Sequence, residues 1–330
     1  MDAALVTGCS EGGLGEGIVR AFLAEGLHVF ATARSISSMA YLQHIPNITL
    51  LALDVTSSES IASVLSSVKS HLHLSPNTNN GTHPKQDQSS PRRLKYLINN
   101  AGIGLIRPLL NGTGISDAER LIYETNVWGP LALIRALTPL MIAGNTVSGG
   151  GSGECMVVNI TSGAALVPLA WHGVYSSSKA AMASLSEAMG LEMEPLGVRI
   201  GTVILGIVKT NFHANMKDQR VESSEGGGEG GGEDEGGERG DERYELAEGS
   251  YYEGIRHILR DQASGKIQQG NICTAKEAGR QIVRDAVKGK KGKTYIGSSA
   301  GMMSILGIIP QWIVDAVCKK TGQLEEFVKA

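Results

Sequence analysis

The feature that most constrains this chain is a glycine-rich turn set between its first apolar run and its first helical pattern. The run from Ala3 to Thr7 is short and apolar, as in a buried strand, and apolar residues then recur at helical spacing up to Gly26. The turn between them reads Thr7-Gly8-Cys9-Ser10-Glu11-Gly12-Gly13-Leu14-Gly15. Glycines let a backbone approach a pyrophosphate closely, and free N–H groups at a helix start attract its charge. A strand, a glycine turn and a helix in this order predict a dinucleotide-binding α/β fold.

Apolar runs and helical patterns alternate along the rest of the chain. Further strands are predicted at 28–33, 48–53, 94–98, 156–160, 198–204 and 293–296. Helical patterns cover about 58–70, 116–141, 244–259 and 275–287. This order predicts a Rossmann-type doubly wound parallel sheet flanked by helices, in a single α/β domain with a C-terminal extension.

Three stretches interrupt this pattern. Residues 75–93 are polar and without a period, and 144–153 is rich in glycine, so both are predicted to be flexible surface segments. Residues 219–243 hold nine acidic side chains and nine glycines, too little apolar surface to offset ordering, and are predicted to be disordered. We therefore divide the chain into a Rossmann-type dinucleotide-binding core (1–218), this insertion, and a C-terminal part with further helices, the last strand and an apolar tail (244–330).

Composition narrows the function classes. The net charge of -3 and the absence of a basic patch argue against nucleic acid as a partner. The four cysteines (Cys9, Cys155, Cys273 and Cys318) form no Cys-x-x-Cys pair, which predicts a reduced intracellular compartment and no metal site. The N-terminus enters a strand without an apolar signal core, so we expect a cytoplasmic protein.

A candidate proton-transfer pair, Tyr175-x-x-x-Lys179, lies on the helical pattern after the fifth predicted strand. Residues four apart share a helix face, so Tyr175 and Lys179 point the same way. A phenol with a pKa near ~10 exchanges protons poorly at neutral pH, and the adjacent ammonium is expected to lower that pKa. Ser162 follows the strand at 156–160, where its hydroxyl can hold a substrate oxygen.

The end of the second predicted strand indicates which cofactor is preferred. In an NAD site an acidic residue near this point takes the ribose hydroxyls, whereas here Arg34 follows the strand directly and no acid appears. A guanidinium pairs well with phosphate, so Arg34 favours the 2′-phosphate of NADP. We therefore expect NADP (NADPH) as the cofactor.

Taken together, the motifs resemble those of the short-chain dehydrogenase/reductase family, in the family's order, over residues 3–212. They are the glycine turn from Thr7-Gly8, Asp54-Val55, Asn99-Asn100-Ala101-Gly102, Asn126, Ser162 and Tyr175-x-x-x-Lys179. The resemblance implies that Tyr175 is the general acid in carbonyl reduction, assisted by Lys179. It also implies that Ser162 orients the carbonyl and that Asn126 holds a water in a proton relay.

The resemblance further implies a set of cofactor-binding residues. They are Gly8, Ser10, Gly13, Gly15, Arg34, Asp54, Asn100, Gly102, Tyr175, Lys179, Ile207 and Thr210. Within this set, Asn100 and Gly102 are expected to form the cofactor floor, and Asp54 to lie at the adenine. Ile207 and Thr210 are expected to face the nicotinamide carboxamide.

The glycine turn departs from the family's spacing, because four residues rather than three separate Gly8 from Gly13. Either Gly12 takes the role of the second glycine, with Leu14 displacing the third, or the turn is one residue longer and uses Gly13 and Gly15. We prefer the longer turn because it preserves the final Gly-x-Gly.

At finer grain the chain resembles the fungal branch of the family that contains acyl-dihydroxyacetone-phosphate reductases. The shared features are Cys9-Ser10, Ala31-Thr32-Ala33-Arg34, Leu191-Glu192-Met193-Glu194-Pro195 and the apolar tail. This resemblance implies NADPH-dependent reduction of a ketone, or oxidation of a secondary alcohol, on a lipophilic small molecule, either a lipid intermediate or a fungal secondary metabolite. Apolar residues at 105–110, at 166–171 and at Phe212 suit such a pocket. The alternative is a non-catalytic NADP-binding regulator or scaffold, which would not need Tyr175 and Lys179.

The tail at 302–318 is apolar, but Pro310 interrupts it and it is shorter than the roughly 20 apolar residues of a membrane span. Trp312 and the following Lys319-Lys320 suit peripheral contact with a membrane such as the endoplasmic reticulum or a lipid droplet. The tail can equally close the substrate pocket or contact a second subunit in a homo-oligomer. The sequence leaves these alternatives open.

Overall fold

The computed structural model describes residues 1–72, 93–147, 154–167, 169–212, 246, 249–263 and 272–327. Its strands are β1 Asp2–Thr7, β2 His28–Ala33, β3 Ile48–Ala52, β4 Arg93–Asn99, β5 Cys155–Ile160, β6 Val198–Leu205, β7 Val208–Lys209, β8 Cys273–Thr274 and β9 Gly292–Ile296. All but β7 and β8, which pair with each other, form one parallel sheet in the order β3-β2-β1-β4-β5-β6-β9. The chain reverses direction across the sheet between β1 and β4, so the predicted doubly wound parallel sheet is confirmed.

Several helices begin at a side-chain cap or at a glycine. They are α1 Leu14–Ala24, α2 Ser58–His71, α3 Asp117–Tyr123, α4 Gly129–Val147, α5 Gly173–Met193, α6 Arg256–Ala263, α7 Ala275–Val287, α8 Ala300–Ser304, α9 Gln311–Thr321 and α10 Leu324–Phe327. The side chains of Ser57, Ser116 and Thr274 accept backbone N–H groups at the starts of α2, α3 and α7, and the last two form capping boxes with glutamates.

Two helix predictions need correction. The helix predicted at 116–141 is interrupted by a π-helical turn, Glu124–Trp128, and α4 then continues to Val147, into the segment predicted to be flexible. Of the helix predicted at 244–259, the described residues show a 3-10 turn at Glu253–Ile255 and an α-helix only from Arg256 onward, and Gly249, with a left-handed φ of 71°, is not helical.

Other predicted segments lie wholly or largely outside the described residues. These are the polar insertion at 75–93, apart from its last residue in β4, the remainder of the joint up to 153, and the acidic insertion at 219–243.

Two helical layers cover the sheet because its strands are apolar on both faces. Val6 belongs to the layer packed against α1 and α7, and Leu5 to the layer packed against α2, α4 and α5. α1 and α7 approach closely at Gly17 and Gly279, since a Cβ at Gly17 would lie 2.1 Å from the Ala275 carbonyl oxygen. This packing leaves the C-terminal ends of the strands open at one edge, where sheets of this kind bind ligands.

A smaller apolar cluster anchors the C-terminal part of the chain. Trp171 packs edge-on against Tyr252 and Phe327, and its indole Nε1–H donates to the Gly322 carbonyl oxygen over 3.0 Å. Ile255 is fully buried in the same cluster. These contacts fix α10 and the end of α9 above the open edge of the sheet.

One helical run, Asp117–Ala143, is long and apolar enough to cross a membrane by length and composition. However, 56% of its apolar window is buried inside the protein. Its side chains pack on the sheet and on α2, which accounts for the apolar composition.

Candidate active site

The ends of β1 and β4 are tied together directly beneath the glycine turn. The Thr7 hydroxyl oxygen accepts the backbone N–H groups of Asn100 and Ala101 over 3.0 and 2.9 Å. In return, the Asn100 amide nitrogen donates to the carbonyl oxygens of Thr7 (2.8 Å) and Gly8 (3.0 Å). Backbone and side chain therefore hold this crossover in one conformation.

The glycines of the turn have different surroundings. Gly8 and Gly13 line the cavity described below, and Gly13 precedes α1 in an extended conformation with no side-chain cap on the helix start. Gly15 lies beneath the turn, because a Cβ there would come within 2.3 Å of the Gly8 carbonyl oxygen. Gly12, with φ of 71°, faces Asn211 instead. The geometry matches the longer of the two turns considered above, in which Gly13 rather than Gly12 lies at the cavity.

A cavity of about 840 Å³ runs along the open edge of the sheet from the glycine turn to the C-terminal helices. It brings together nearly all of the residues that the sequence predicted for the cofactor. Those on its wall are Gly8, Ser10, Gly13, Arg34, Asp54, Asn100, Gly102, Tyr175, Lys179, Ile207 and Thr210. Gly15 supports this wall from below.

Arg34 and Asp54 stand at the end of the cavity near β2 and β3. Arg34 is exposed, and within the described part of the chain its guanidinium has no hydrogen-bond or ion-pair partner. One carboxylate oxygen of Asp54 accepts the backbone N–H and the hydroxyl of Thr56, over 2.9 and 2.7 Å. The carboxylate is thus held in place, while the arginine remains free to meet an anion.

Tyr175 and Lys179 lie one turn apart on α5 and face the cavity beside the end of β5. The Lys179 Nζ atom lies 5.9 Å from the centroid of the Tyr175 ring and donates to the Ile160 carbonyl oxygen over 3.3 Å. Ser162 stands just past β5, within hydrogen-bonding contact of the Tyr175 phenol. The structure therefore brings the three predicted catalytic side chains together.

The electrostatics of this pair differ from the prediction. Burial raises the pKa of Tyr175, and hydrogen bonding with Ser162 only partly opposes that effect. Burial also lowers the pKa of Lys179 to about 8. The expected net lowering of the Tyr175 pKa is therefore wrong for this structure, because the loss of hydration at the buried phenol dominates.

Asn126 lies on the π-helical turn, a local conformation that is frequent at functional sites. Its amide nitrogen donates to the Ile103 carbonyl (2.9 Å) and the Ser178 hydroxyl (3.0 Å), and its Oδ1 accepts the Ile103 N–H over 2.9 Å. A Cβ at Gly102 would lie 3.0 Å from Lys179 Nζ and 3.1 Å from Asn126 Oδ1. Asn126, Gly102 and the lysine are therefore close neighbours, and the asparagine retains one oxygen lone pair.

The half of the cavity beyond Tyr175 is apolar. Its wall includes Leu105, Ile106, Val167, Leu169, Phe212, Met302, Met303, Leu306, Ile309, Ile313, Val314 and Val317. The inner side of the tail thus covers this half, which was one of the alternatives left open by the sequence. Four predicted wall residues do not line it. Leu109 and Leu110 are exposed, Leu166 lies outside the wall, and Trp171, with a φ of 68°, packs in the C-terminal cluster instead.

Sequence reasoning missed His172 and the role of Thr7. His172 lines the cavity one helical turn before Tyr175, and its ring Nδ1–H donates to the Ala170 carbonyl oxygen over 2.9 Å. Burial lowers the pKa of His172, which keeps the imidazole neutral. His172 is the N-cap residue of α5, outside the helix itself, so helical spacing gave no signal for it. Thr7 gave no signal, because its partners lie more than 90 residues away.

Comparison with known proteins identifies the family of the chain. The family model described as short chain dehydrogenase matches residues 2–221, and the chain belongs to this family of oxidoreductases. The short-chain dehydrogenase ptmH of Penicillium ochrochloron is 32% identical over 318 residues, covering 96% of each chain. An NADPH-dependent 1-acyldihydroxyacetone phosphate reductase of Schizosaccharomyces pombe is 30% identical over 64% of this chain and 61% of its own length.

Among solved structures, a short chain dehydrogenase from Burkholderia cenocepacia in complex with NADP superposes with a TM-score of 0.63. The match covers 96% of this chain and 97% of the other, at 21% identity. It extends the likeness of fold to the C-terminal part of the chain, beyond the region matched by the family model.

Proposed function

We propose that this protein is an NADP(H)-dependent oxidoreductase that interconverts a ketone and a secondary alcohol on a lipophilic small molecule. The observation that carries the proposal is one continuous cavity with two chemically different ends. A glycine turn and a free arginine lie at one end, an apolar chamber at the other, and Ser162, Tyr175 and Lys179 lie between them.

The residues at the polar end fit a dinucleotide phosphate. Gly8 and Gly13 leave room for a pyrophosphate against the backbone at the start of α1, with Ser10 beside them. Arg34 has no described partner and suits the 2′-phosphate, which favours NADP over NAD. The NADPH dependence named for the Schizosaccharomyces reductase and the NADP complex of the Burkholderia protein support the same cofactor.

The other cofactor residues fit along the strand ends. Asp54 would take the adenine end, and Asn100 and Gly102 would form the floor. Ile207 and Thr210 would meet the nicotinamide carboxamide, and Lys179 would bind the adjacent ribose. The bound nucleotide would supply hydride to the substrate carbon, or accept it in the reverse direction.

The catalytic side chains would act on the substrate oxygen. Ser162 holds this oxygen by a hydrogen bond, and Tyr175 gives it the proton. The phenol carries its proton at neutral pH, as a proton donor must, although burial raises its pKa and so makes it a weaker acid than a free tyrosine. The free lone pair on Asn126 Oδ1 would hold the water through which Tyr175 regains its proton.

The apolar end favours an uncharged substrate. None of the charged residues among the described lining belongs to the apolar end, since Arg34 and Asp54 lie at the polar end and Lys179 lies beside Tyr175 between the two ends. A bulky ketone, such as a polycyclic secondary metabolite, suits this chamber better than acyl-dihydroxyacetone phosphate, whose phosphate would be desolvated there.

The test is a substrate screen with purified protein, following NADPH absorbance. Polycyclic ketones and acyl-dihydroxyacetone phosphate are compared, with Tyr175→Phe as the control. We expect turnover of uncharged polycyclic ketones that this substitution abolishes. A protein that binds NADPH and turns over no carbonyl would instead be the regulator or scaffold considered above.

We also propose that the outer side of the tail makes peripheral contact with a membrane in the cytoplasm. Ile308 is 82% and Trp312 72% exposed, and Lys319 and Lys320 follow on α9. Sedimentation with anionic vesicles, lost on Trp312→Glu, tests the proposal. A homo-oligomer formed through the same face would appear in light scattering without lipid.

A further inference from the structure

The additional residue of the glycine turn makes contacts of its own. The Gly12 carbonyl oxygen accepts the backbone N–H of Asn211 over 3.1 Å, and the Glu11 carbonyl oxygen accepts the Asn211 side-chain amide over 3.2 Å. A Cβ at Gly12 would lie only 2.3 Å from Asn211 Nδ2, and its φ of 71° disfavours any other residue. Asn211 therefore packs so closely on the turn that a side chain at position 12 would collide with it.

Asn211 belongs to a segment that runs from the β9 side of the sheet to the glycine turn. At its start, Ile207 exchanges two backbone hydrogen bonds with Ser298, over 3.0 and 3.3 Å, next to β9. Ile207 itself lines the cavity, as does Thr210 between the two attachments. The segment is thus held at both ends and passes along the cofactor half of the cavity.

The same segment reaches the catalytic tyrosine. Phe212 follows Asn211, lines the cavity, and has its ring centroid 6.3 Å from that of Tyr175. The segment therefore extends from the glycine turn to the border of the catalytic site.

We propose that Asn211 is a positioning residue that fastens the segment 207–212 to the glycine turn and so retains the bound dinucleotide. The inference rests on the proposed function, since it needs a nucleotide in this cavity. Release of the nucleotide requires the segment to move, and the contacts with Glu11 and Gly12 oppose that movement. The additional glycine is present because only glycine admits these contacts.

The test is the dissociation rate of NADPH, followed by stopped-flow fluorescence after displacement with excess NADP. A hydrogen bond of this kind contributes about 1 kcal/mol, so Asn211→Ala should speed dissociation about fivefold. The KM for NADPH should rise with it, and hydride transfer in a single turnover at saturating NADPH should be unchanged. Lys209→Ala, at an exposed site on the same segment that does not line the cavity, is the matched control and should leave the rate unchanged.

A double substitution tests the fit between the two residues. Gly12→Ala alone should speed dissociation more than Asn211→Ala, because its methyl group would strike the Asn211 amide. Adding Asn211→Ala removes that amide and should recover part of the loss. Unchanged dissociation in Asn211→Ala, or strictly additive effects in the double variant, would overturn the proposal. Failure of the unmodified protein to bind NADPH would instead refute the proposed function itself.

Discussion

The two ends of the cavity are built in different ways. At the glycine turn, the wall is backbone held by hydrogen bonds between strand ends, as in the contacts of Thr7 with Asn100 and Ala101. At the tail, the wall is made of apolar side chains on short helices, joined to the rest mainly through the cluster around Trp171.

This difference matches the ligands proposed for each end. A backbone wall held by hydrogen bonds has one favourable conformation. Such a wall suits a cofactor, because the cofactor is the same molecule in every reaction cycle. Apolar contacts are not directional, and a methionine-rich wall can adapt to substrates of different shape. Single substitutions at the polar end should therefore cause large changes in activity, cofactor affinity or stability. Single substitutions at the apolar end should cause small ones.

The largest effect is expected at the centre of the polar wall. Tyr175→Phe removes the proton donor and should lower kcat by roughly 10³-fold, within the range for a lost general acid. The affinity for NADPH should stay within about twofold, because the ring remains in place. Steady-state kinetics and a nucleotide titration measure both. Comparable turnover in the variant would refute the proton-donor role.

A second test concerns the effect of the buried Lys179 ammonium on the free energy of unfolding. Because burial lowers the pKa of Lys179 from 10.5 to about 8, the ammonium opposes folding by about 3 kcal/mol below pH 8. Lys179→Met should therefore unfold at higher denaturant at pH 7 while losing most activity.

The stability deficit caused by Lys179 depends on pH in a direction that the two pKa values determine. Between about pH 8 and 10.5 the unfolded chain binds more protons at Lys179 than the folded one, so the stability deficit shrinks as pH rises. The advantage of Lys179→Met should then fade over that interval. An advantage that is absent at pH 7, or constant up to pH 10.5, would contradict the buried charge.

Arg34 gives a smaller effect confined to one cofactor. Arg34→Ala should raise the Kd for NADPH about tenfold, because a charge-assisted pair with the 2′-phosphate is lost. The Kd for NADH should hardly change. Fluorescence titration with both nucleotides measures the ratio, and Arg20→Ala, which removes an exposed arginine paired with Glu16, serves as a control. Equal weakening for both nucleotides would contradict the preference for NADP.

The features that could be predicted from the sequence are those that depend on residues close together in the chain. Every predicted strand lies within one residue of its observed ends, because a short apolar run between turns is a local signal. The shared face of Tyr175 and Lys179 follows from helical spacing, which is also local. The order of motifs along the chain then placed these groups at one edge of the sheet.

The remaining features depend on contacts that are distant in sequence. Trp171 turns away from the cavity because Tyr252, Gly322 and Phe327 surround it. The Tyr175 pKa rises because of burial, which only the packed structure reveals. Asn211 meets Gly12 across 199 positions, so the reason for the additional glycine could not be read locally.

The smallest effect is expected in the apolar wall. Met303 reaches over Gly163, where a Cβ would lie 2.4 Å from its Cε, and it lines the cavity close to Ser162. Met303→Ala should lower kcat/KM for a bulky ketone about fivefold, since about 1 kcal/mol of apolar contact is lost, and leave NADPH affinity unchanged. Ile308→Ala, on the exposed outer side of the tail, should change neither quantity. If Met303→Ala weakened NADPH as much as it weakened the ketone, the two ends of the cavity would not be separable, and the tail would have to be counted as part of the cofactor site.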